Sequence, residues 1–307
     1  MPPPRNILLF HAGALGDFVV TWPLALALAR LYPQSRLFYV TQRGKGLLAE
    51  RVLRVESVDS EVGWHPLYAP AAAALGEPQA KLLAGAHSVV GFAADEGDAW
   101  TQNVRRLAAQ ADVITATIAS PRDFPGHVTD HLMSQLADRP AVQTAMGQVL
   151  ASLRSRGLAV SGATPGNAGS PLVVQPGSGA KRKCWPADRF VSLIEKLKSN
   201  SLPVRVVLGE VELETWDPAE VARVSAAAEV VKPATYVELL NVLKSARAFV
   251  GNDTGPSHLA GIIGVPTVVL FGSNPVQWQP LGPRVTVIAG PSMESIEVGQ
   301  VYQSVTG

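Results

Sequence analysis

The sequence predicts an α/β protein of two domains, each built around a parallel sheet covered on both faces. Three observations predict it. Short continuous apolar runs alternate with longer helix-patterned stretches along the 307 residues. One stretch rich in glycine and proline, 157–171, interrupts the alternation near its middle. The composition, 47% hydrophobic and 17% charged, supports a sizeable core and excludes wholesale disorder. At 32.4 kDa the chain has the mass of two domains.

In the first half, residues 6–10 are an apolar run of strand length. Residues 17–31 are rich in alanine and leucine and long enough for a helix, with Pro23 as a kink or restart. Residues 36–41 read as a strand, 44–51 as a helix and 52–58 as a third strand. Residues 69–84 read as a broken helix, 88–93 as a strand, 99–109 as a helix and 112–118 as a strand. Residues 128–156 are mostly helical, interrupted at Pro140. Then GLAVSGATPGNAGSP carries four glycines, two prolines and no charge. Domains 1–157 and 172–307 joined by a linker at 158–171 follow, with the last helix free to pack back on the first domain. A long surface loop inside one domain is the alternative.

The second half repeats the pattern. Residues 172–175 are a strand, 187–198 a helix, 204–208 a strand and 218–228 a helix. Residues 235–246 are a helix opened by Thr235, with Glu238 three residues on as a capping box. Residues 247–251, 267–271 and 285–289 are strands. Two such Rossmann-like halves are expected to face an interdomain ligand cleft between the carboxyl ends of their sheets.

Charge and motifs narrow the function. Lys+Arg number 26 and Asp+Glu 25, with neither half markedly charged, so an extended nucleic-acid groove is not expected. Cys184 is the only cysteine, which excludes a disulfide framework and a multi-cysteine zinc site. No run approaches the length of a membrane span, and no export signal is visible, so a soluble cytoplasmic protein is expected, with contact at a membrane surface left open. The Walker loop, the dinucleotide fingerprint, His-Glu-x-x-His, Asp-x-Asp and Gly-x-Ser-x-Gly are all missing. No metal site and no cofactor are expected.

Three loops at strand ends carry the remaining chemistry. His11-Ala-Gly-Ala-Leu-Gly-Asp17 follows the first strand, with Gly13 and Gly16 permitting a tight turn. Asp17 is then either a helix N-cap or a carboxylate able to take a proton from an acceptor hydroxyl. Gln175-Pro-Gly-Ser-Gly-Ala-Lys-Arg-Lys-Cys-Trp-Pro186 runs from a strand through small residues and three cations into a helix. Backbone N–H groups and a lysine there suit a diphosphate, whereas a solvated cationic loop is the plain reading. Gly251-Asn-Asp-Thr-Gly-Pro-Ser-His-Leu-Ala260 puts Asp253 and Thr254 at a positive helix end. His258 is either part of that site or a core histidine. A Ser257/His258/Asp253 triad is not expected, because adjacent helix residues point to different sides.

Together these loops resemble the heptosyltransferases of glycosyltransferase family 9, GT-B enzymes that take heptose from ADP-heptose in lipopolysaccharide core assembly. The resemblance is carried by residues 250–260, continuing through Gly264-Val-Pro-Thr267 to Phe271-Gly272 and Trp278-Gln-Pro280. The Gly16-Asp17 loop with Pro23, and Lys183-Cys-Trp-Pro186, look like two further signatures. The resemblance implies a GT-B architecture and an inverting, metal-independent transfer. It implies Asp17 as catalytic base and Lys183 as the phosphate-binding lysine, with Ser178 and Gly179 lining that pocket. Asp253 would hold sugar hydroxyls, Thr254, Gly255 and His258 would meet the diphosphate, and Glu212, among Glu210, Glu212 and Glu214, would hold the ribose. On the acceptor side it points to Gly13, Arg43 and Arg105, with Lys45, Arg51, Arg54 and Arg106 as further cations. The partners implied are ADP-heptose and a lipid A-core-type or other glycan acceptor, with peripheral contact at the inner membrane's inner face. A sugar-nucleotide epimerase, a UDP-hexose transferase and a non-catalytic nucleotide-sugar-binding module are the alternatives.

Overall fold

A computed structural model describes residues 5–70, 74–92, 94–160, 166–167 and 169–307. The chain divides into two compact units, Met1–Leu150 and Ala151–Gly307.

In the first unit β1 (Asn6–Phe10) leads into α1 (Leu15–Leu31), β2 (Arg36–Thr41), α2 (Arg43–Leu53) and β3 (Glu56–Asp59). A 3-10 turn at His65–Tyr68 precedes α3 (Glu77–Ala84), β4 (Ala86–Phe92), α4 (Ala99–Leu107), β5 (Asp112–Ala116) and α5 (Val128–Ser134). The strands form one parallel sheet in the order β3-β2-β1-β4-β5. Every residue of β1 is buried, because a central strand covered on both faces has no solvent side. The core beneath it stacks Phe10 edge-on to Trp64 at 5.0 Å and to Trp100 at 5.2 Å.

Several boundaries differ from expectation. The apolar residues Val52 and Leu53 end α2 instead of opening a strand, and Arg54 turns the chain with φ 58°. Pro23 sits inside a continuous α1. Residues 71–73 of the expected broken helix, residue 93 of an expected strand, and 161–165 and 168 of the expected linker lie outside the described residues.

The division between the units falls inside α6 (Pro140–Arg156), ahead of the expected linker. Gly157, at φ 68°, ends that helix, and the Leu158 N–H donates to the Ile262 carbonyl at 2.7 Å, so the start of the expected linker is built into the second unit.

That unit continues with β6 (Leu172–Gln175), a 3-10 turn at Lys181–Lys183, α7 (Ala187–Ser199), β7 (Val204–Val207), α8 (Glu210–Thr215), α9 (Pro218–Ala227) and β8 (Glu229–Val231). Then come α10 (Tyr236–Lys244), β9 (Ala248–Asn252), α11 (Gly255–Ile262), β10 (Thr267–Phe271), β11 (Val285–Ala289) and α12 (Val298–Thr306). The second parallel sheet runs β11-β10-β9-β6-β7-β8. Thr235 caps α10 through Glu238 N–H at 3.1 Å, and the Glu238 carboxylate reaches back to Ala234 N–H at 2.9 Å. α12 packs on α7, with Val301 and Val305 in this unit's core beside Trp185, Phe190 and Leu193. Gly264, at φ 80°, supplies the left-handed residue that turns α11 into β10.

Both sheets are doubly wound. The strand order reverses between β1 and β4 in one and between β6 and β9 in the other. Loops beyond the carboxyl ends of those strands flank the crevice where such sheets bind ligands. The turn after β1 leads into Asp17 on α1, the loop after β6 carries the cationic segment, and Asp253 and Thr254 follow β9.

Candidate functional site

The second unit's site is built on two strand ends. β6 closes on Gln175 and β9 on Asn252, polar residues buried at the ends of otherwise apolar strands. Buried amides must be satisfied, and these are. Asn252 Nδ2 donates to the Pro176 carbonyl at 2.7 Å and the Gly177 carbonyl at 3.1 Å, while its Oδ1 accepts from Trp185 N–H at 3.0 Å. One side chain therefore grips both ends of the cationic loop. Trp185 is held from its other side as well, its Nε1 donating to the Ile296 carbonyl at 3.0 Å.

Within this frame Lys183 Nζ donates to Asp253 Oδ2 at 2.7 Å, and His258 Nε2 lies 3.7 Å from Asp253 Oδ1. The Asp253 side chain is 12% exposed and that of Lys183 42%. Burial pushes the Asp253 carboxyl up, but the bonds from His258 and Lys183 outweigh it and hold the group below the usual carboxylate range. His258 is buried against Trp278. Ser257 turns away from both, its Oγ donating to the Asn252 carbonyl at 2.5 Å, so no Ser–His–Asp triad forms.

Thr254 is the N-cap of α11, yet its hydroxyl does not cap. It donates to Gln175 Oε1 at 3.1 Å instead. The helix thus begins at Gly255 with its first N–H groups free of a side-chain cap and its positive end beside Lys183. Ser178 is buried in the cationic loop, whereas beside Gly179 the space is open for at least 4 Å around a notional Cβ. Burial pushes the Cys184 thiol up to about 11, so it stays protonated near neutral pH.

Glu212 stands behind this loop. The resemblance implies a ribose ligand there. In the structure it is 3% exposed, its Oε1 accepting from Gln175 Nε2 at 2.7 Å and its Oε2 from Gly209 N–H at 2.6 Å. Glu210 and Glu214 are exposed. A chain of bonds thus runs from Gly209 through Glu212 and Gln175 to Thr254. It requires glycine at 177, where a Cβ would lie 1.5 Å from Glu212 Oε1.

In the first unit Asp17 is the third residue of α1, and Ala14 is the N-cap. Asp17 therefore does not fill the N-cap position. Its Oδ2 reaches back to Ala14 N–H at 3.3 Å across the turn at Gly13. Lys45 Nζ donates to the Gly13 carbonyl at 2.5 Å. Burial, and after it the charge of Lys45, push the buried His11 ring down to about 3, so it is neutral at pH 7.

Of the acceptor-side residues named from sequence, Gly13 and Lys45 meet at the turn before α1. Arg43 is exposed at the start of α2, and Arg105, on α4, pairs with Glu96, which also accepts from Thr115 at 2.6 Å. Among the described residues no group of three or more His, Cys, Asp or Glu could hold a metal ion. No helix among them is long and apolar enough to cross a membrane.

Sequence reasoning gave no role to Gln175 or Asn252. Their signal was a polar amide closing an apolar strand, LVVQ and AFVGN, next to a glycine-rich loop.

Comparison with known proteins identifies the fold and the family. Lipopolysaccharide heptosyltransferase 3 of Escherichia coli K12 is 30% identical over 117 residues, covering 36% of this chain and 33% of the relative. The chain spans about a third of the length of the curated relatives it matches. Two solved E. coli structures share the fold along nearly the whole chain. ADP-heptose lps heptosyltransferase II has a TM-score of 0.69 at 17% identity, covering 98% of this chain and 97% of that one. Heptosyltransferase WaaC, solved with ADP, has a TM-score of 0.64 at 16% identity, covering 97% and 98%. The family model for glycosyltransferase family 9 (heptosyltransferase) matches residues 103–303. The match takes in both loops of the second unit's site, and the chain belongs to glycosyltransferase family 9.

Proposed function

We propose that the protein is an inverting, metal-independent heptosyltransferase that moves heptose from ADP-heptose to a lipopolysaccharide core or related acceptor. The observation that carries this reading is the grouping of Lys183, Asp253, Thr254 and His258 at the switch point of the second sheet, beside the uncapped start of α11. In this reading Lys183 and the Gly255 N–H face the diphosphate, with Ser178 and Gly179 along it and His258 fixing Asp253. Asp253 faces sugar hydroxyls and exchanges its lysine partner for them. Glu212 supports the loop through Gln175 instead of holding the ribose. The presence of ADP in the solved WaaC structure makes ADP the first probe. The reading places the enzyme in the cytoplasm, at the inner face of the inner membrane where a lipid acceptor is presented.

The chemistry follows from these positions. The acceptor hydroxyl attacks the anomeric carbon from the face opposite the diphosphate. A carbon–oxygen bond forms as the bond to the phosphate oxygen breaks, and the configuration inverts. Asp17 takes the hydroxyl proton. Negative charge gathering on the departing ADP is met by Lys183 and the N-terminus of α11. Metal independence rests on that cationic pairing together with a sequence without Asp-x-Asp.

Asp17→Asn tests the reading. An Asn oxygen still accepts from Ala14 N–H, so the melting temperature and ADP affinity are expected to hold. Transfer is expected to fall roughly 10²–10⁴-fold, the contribution of a placed general base. A near-normal rate with a normal melting temperature would retire the base and leave Asp17 as a turn-closing carboxylate.

A further inference from the structure

We propose that Lys45 is a positioning residue of this transfer reaction, clamping the Gly13 turn so that Asp17 keeps one orientation toward the acceptor hydroxyl. The inference rests on the reading of Asp17 as the base.

Lys45 is the third residue of α2, a place where a lysine normally points to water, as its neighbour Arg43 does. It is instead 2% exposed. Its ammonium reaches 32 residues back to the Gly13 carbonyl. The same turn carries Asp17, whose Oδ2 takes the Ala14 N–H. His11, 3% exposed and with neither ring nitrogen partnered, abuts it from the strand side. A Cβ on Gly13 would lie 3.1 Å from His11 Nε2 and 3.1 Å from Asp17 Oδ2, so base, turn and imidazole are in one packed group. Burial pushes the Lys45 ammonium below its ordinary range, with the charges of Asp17 and Glu61 offsetting part of that.

A buried ammonium is a costly way to hold a turn. A methionine of similar length fills the same space without the desolvation penalty, and replacing buried charges by apolar groups is often neutral or stabilising. A lysine here therefore costs stability for which packing gives no return. What it supplies is a fixed carbonyl one residue before the N–H that Asp17 engages. Misplacing a reacting group by about 1 Å lowers rates by roughly 10².

The test uses the full chain with Lys45→Met, Asp17→Asn and the double substitution, and Lys45→Arg as the conservative variant. ADP release is measured with ADP-heptose as donor and heptose-free lipopolysaccharide as acceptor, alongside ADP affinity and melting temperature. Lys45→Met is expected to lose about 10² in kcat, with the donor KM and ADP affinity within twofold and a melting temperature equal or higher. Lys45→Arg, which keeps a charge and a donor, recovers at least tenfold of that loss. On the Asp17→Asn background Lys45→Met changes the rate by less than threefold, because residues acting as a unit are not additive.

The proposal is overturned by a Lys45→Met rate within threefold of wild type, or by no recovery in Lys45→Arg. It is equally overturned by a loss that multiplies onto Asp17→Asn, or by a melting point lowered together with ADP affinity, which would make Lys45 a general structural clamp. Failure of the base reading shows separately, as normal activity in Asp17→Asn alone.

Discussion

Replacing Lys183 by methionine removes the ammonium bonded to Asp253 and leaves the length of the side chain. Two effects of different size follow. The first is on stability. The lysine is 42% exposed, so its bond to Asp253 is screened and contributes less than about 1 kcal/mol. For a chain of this size that corresponds to a melting shift of no more than about 4 °C. The second is on binding. A lysine facing a diphosphate makes a charge-assisted hydrogen bond of roughly 1.5–3 kcal/mol, so ADP affinity should drop roughly 10- to 150-fold. The variant also leaves the Asp253 carboxylate, 12% exposed, beside the phosphates without its lysine partner. Adding Asp253→Asn removes that repulsion and should restore about tenfold of the lost affinity. Calorimetric titration of ADP at a fixed ionic strength near 0.1 M measures all three proteins under one screening length. An ADP affinity within twofold of wild type in Lys183→Met would refute the assignment of the cationic loop to the diphosphate. A melting point lowered by more than about 10 °C would refute the estimate of the pair as a weak, solvent-screened contact.

Three further outcomes are expected. Transfer should persist in excess EDTA, and an activity abolished by chelation and restored by Mg²⁺ or Mn²⁺ would show that Lys183 and α11 do not carry the leaving-group charge alone. The His11 ring titrates near 3 when folded and near 6.5 when unfolded, so the unfolded chain takes the proton first as pH falls. Stability present above pH 6.5 should drop by about 2 kcal/mol between pH 7.5 and 5, and thermal melts of His11→Gln should show a flatter dependence. Gly177→Ala should lower stability by about 3 kcal/mol and weaken ADP binding, because its Cβ displaces the Glu212 carboxylate that orients Gln175. An alanine variant that melts and binds like wild type would remove that chain of bonds from the account.

Most strands were legible because buried parallel strands announce themselves as short apolar runs, whereas the three-residue edge strand β8, exposed or only partly buried, was not read. LVVQ, TVVLF and NILLF need no context to be read. Where apolar residues serve a helix end, the same rule misleads. Val52 and Leu53 complete the buried face of α2, and the reversal at Arg54 has no glycine to mark it. The helix α8, EVELET, has too few apolar positions to show a period. In the site, Lys183, Asp253 and His258 were visible as loop residues after strands, but their mutual contacts are tertiary. Local spacing says nothing of a bond across seventy residues. Asp17 was read correctly as a carboxylate at a helix start and wrongly as a candidate cap, since the glycine turn shifts the first helical residue to Leu15. Lys45 stood among six cations, and nothing in the sequence separates a buried lysine from an exposed arginine on the same helix.

The position of Asn252 has a consequence for the thermodynamics of donor binding. One amide group fastens Pro176, Gly177 and Trp185 to the end of β9, next to Asp253. The two loops cannot loosen independently, because releasing either leaves a buried amide with unmatched hydrogen-bonding groups. Ordering costs that a nucleotide sugar would otherwise meet on arrival are already met during folding. Amide hydrogens of Trp185 and the loop around it should therefore exchange by global unfolding instead of local opening, with or without nucleotide. Donor association should then behave as docking onto a rigid anion seat, its rate governed by charge and collision and not by loop closure in this unit.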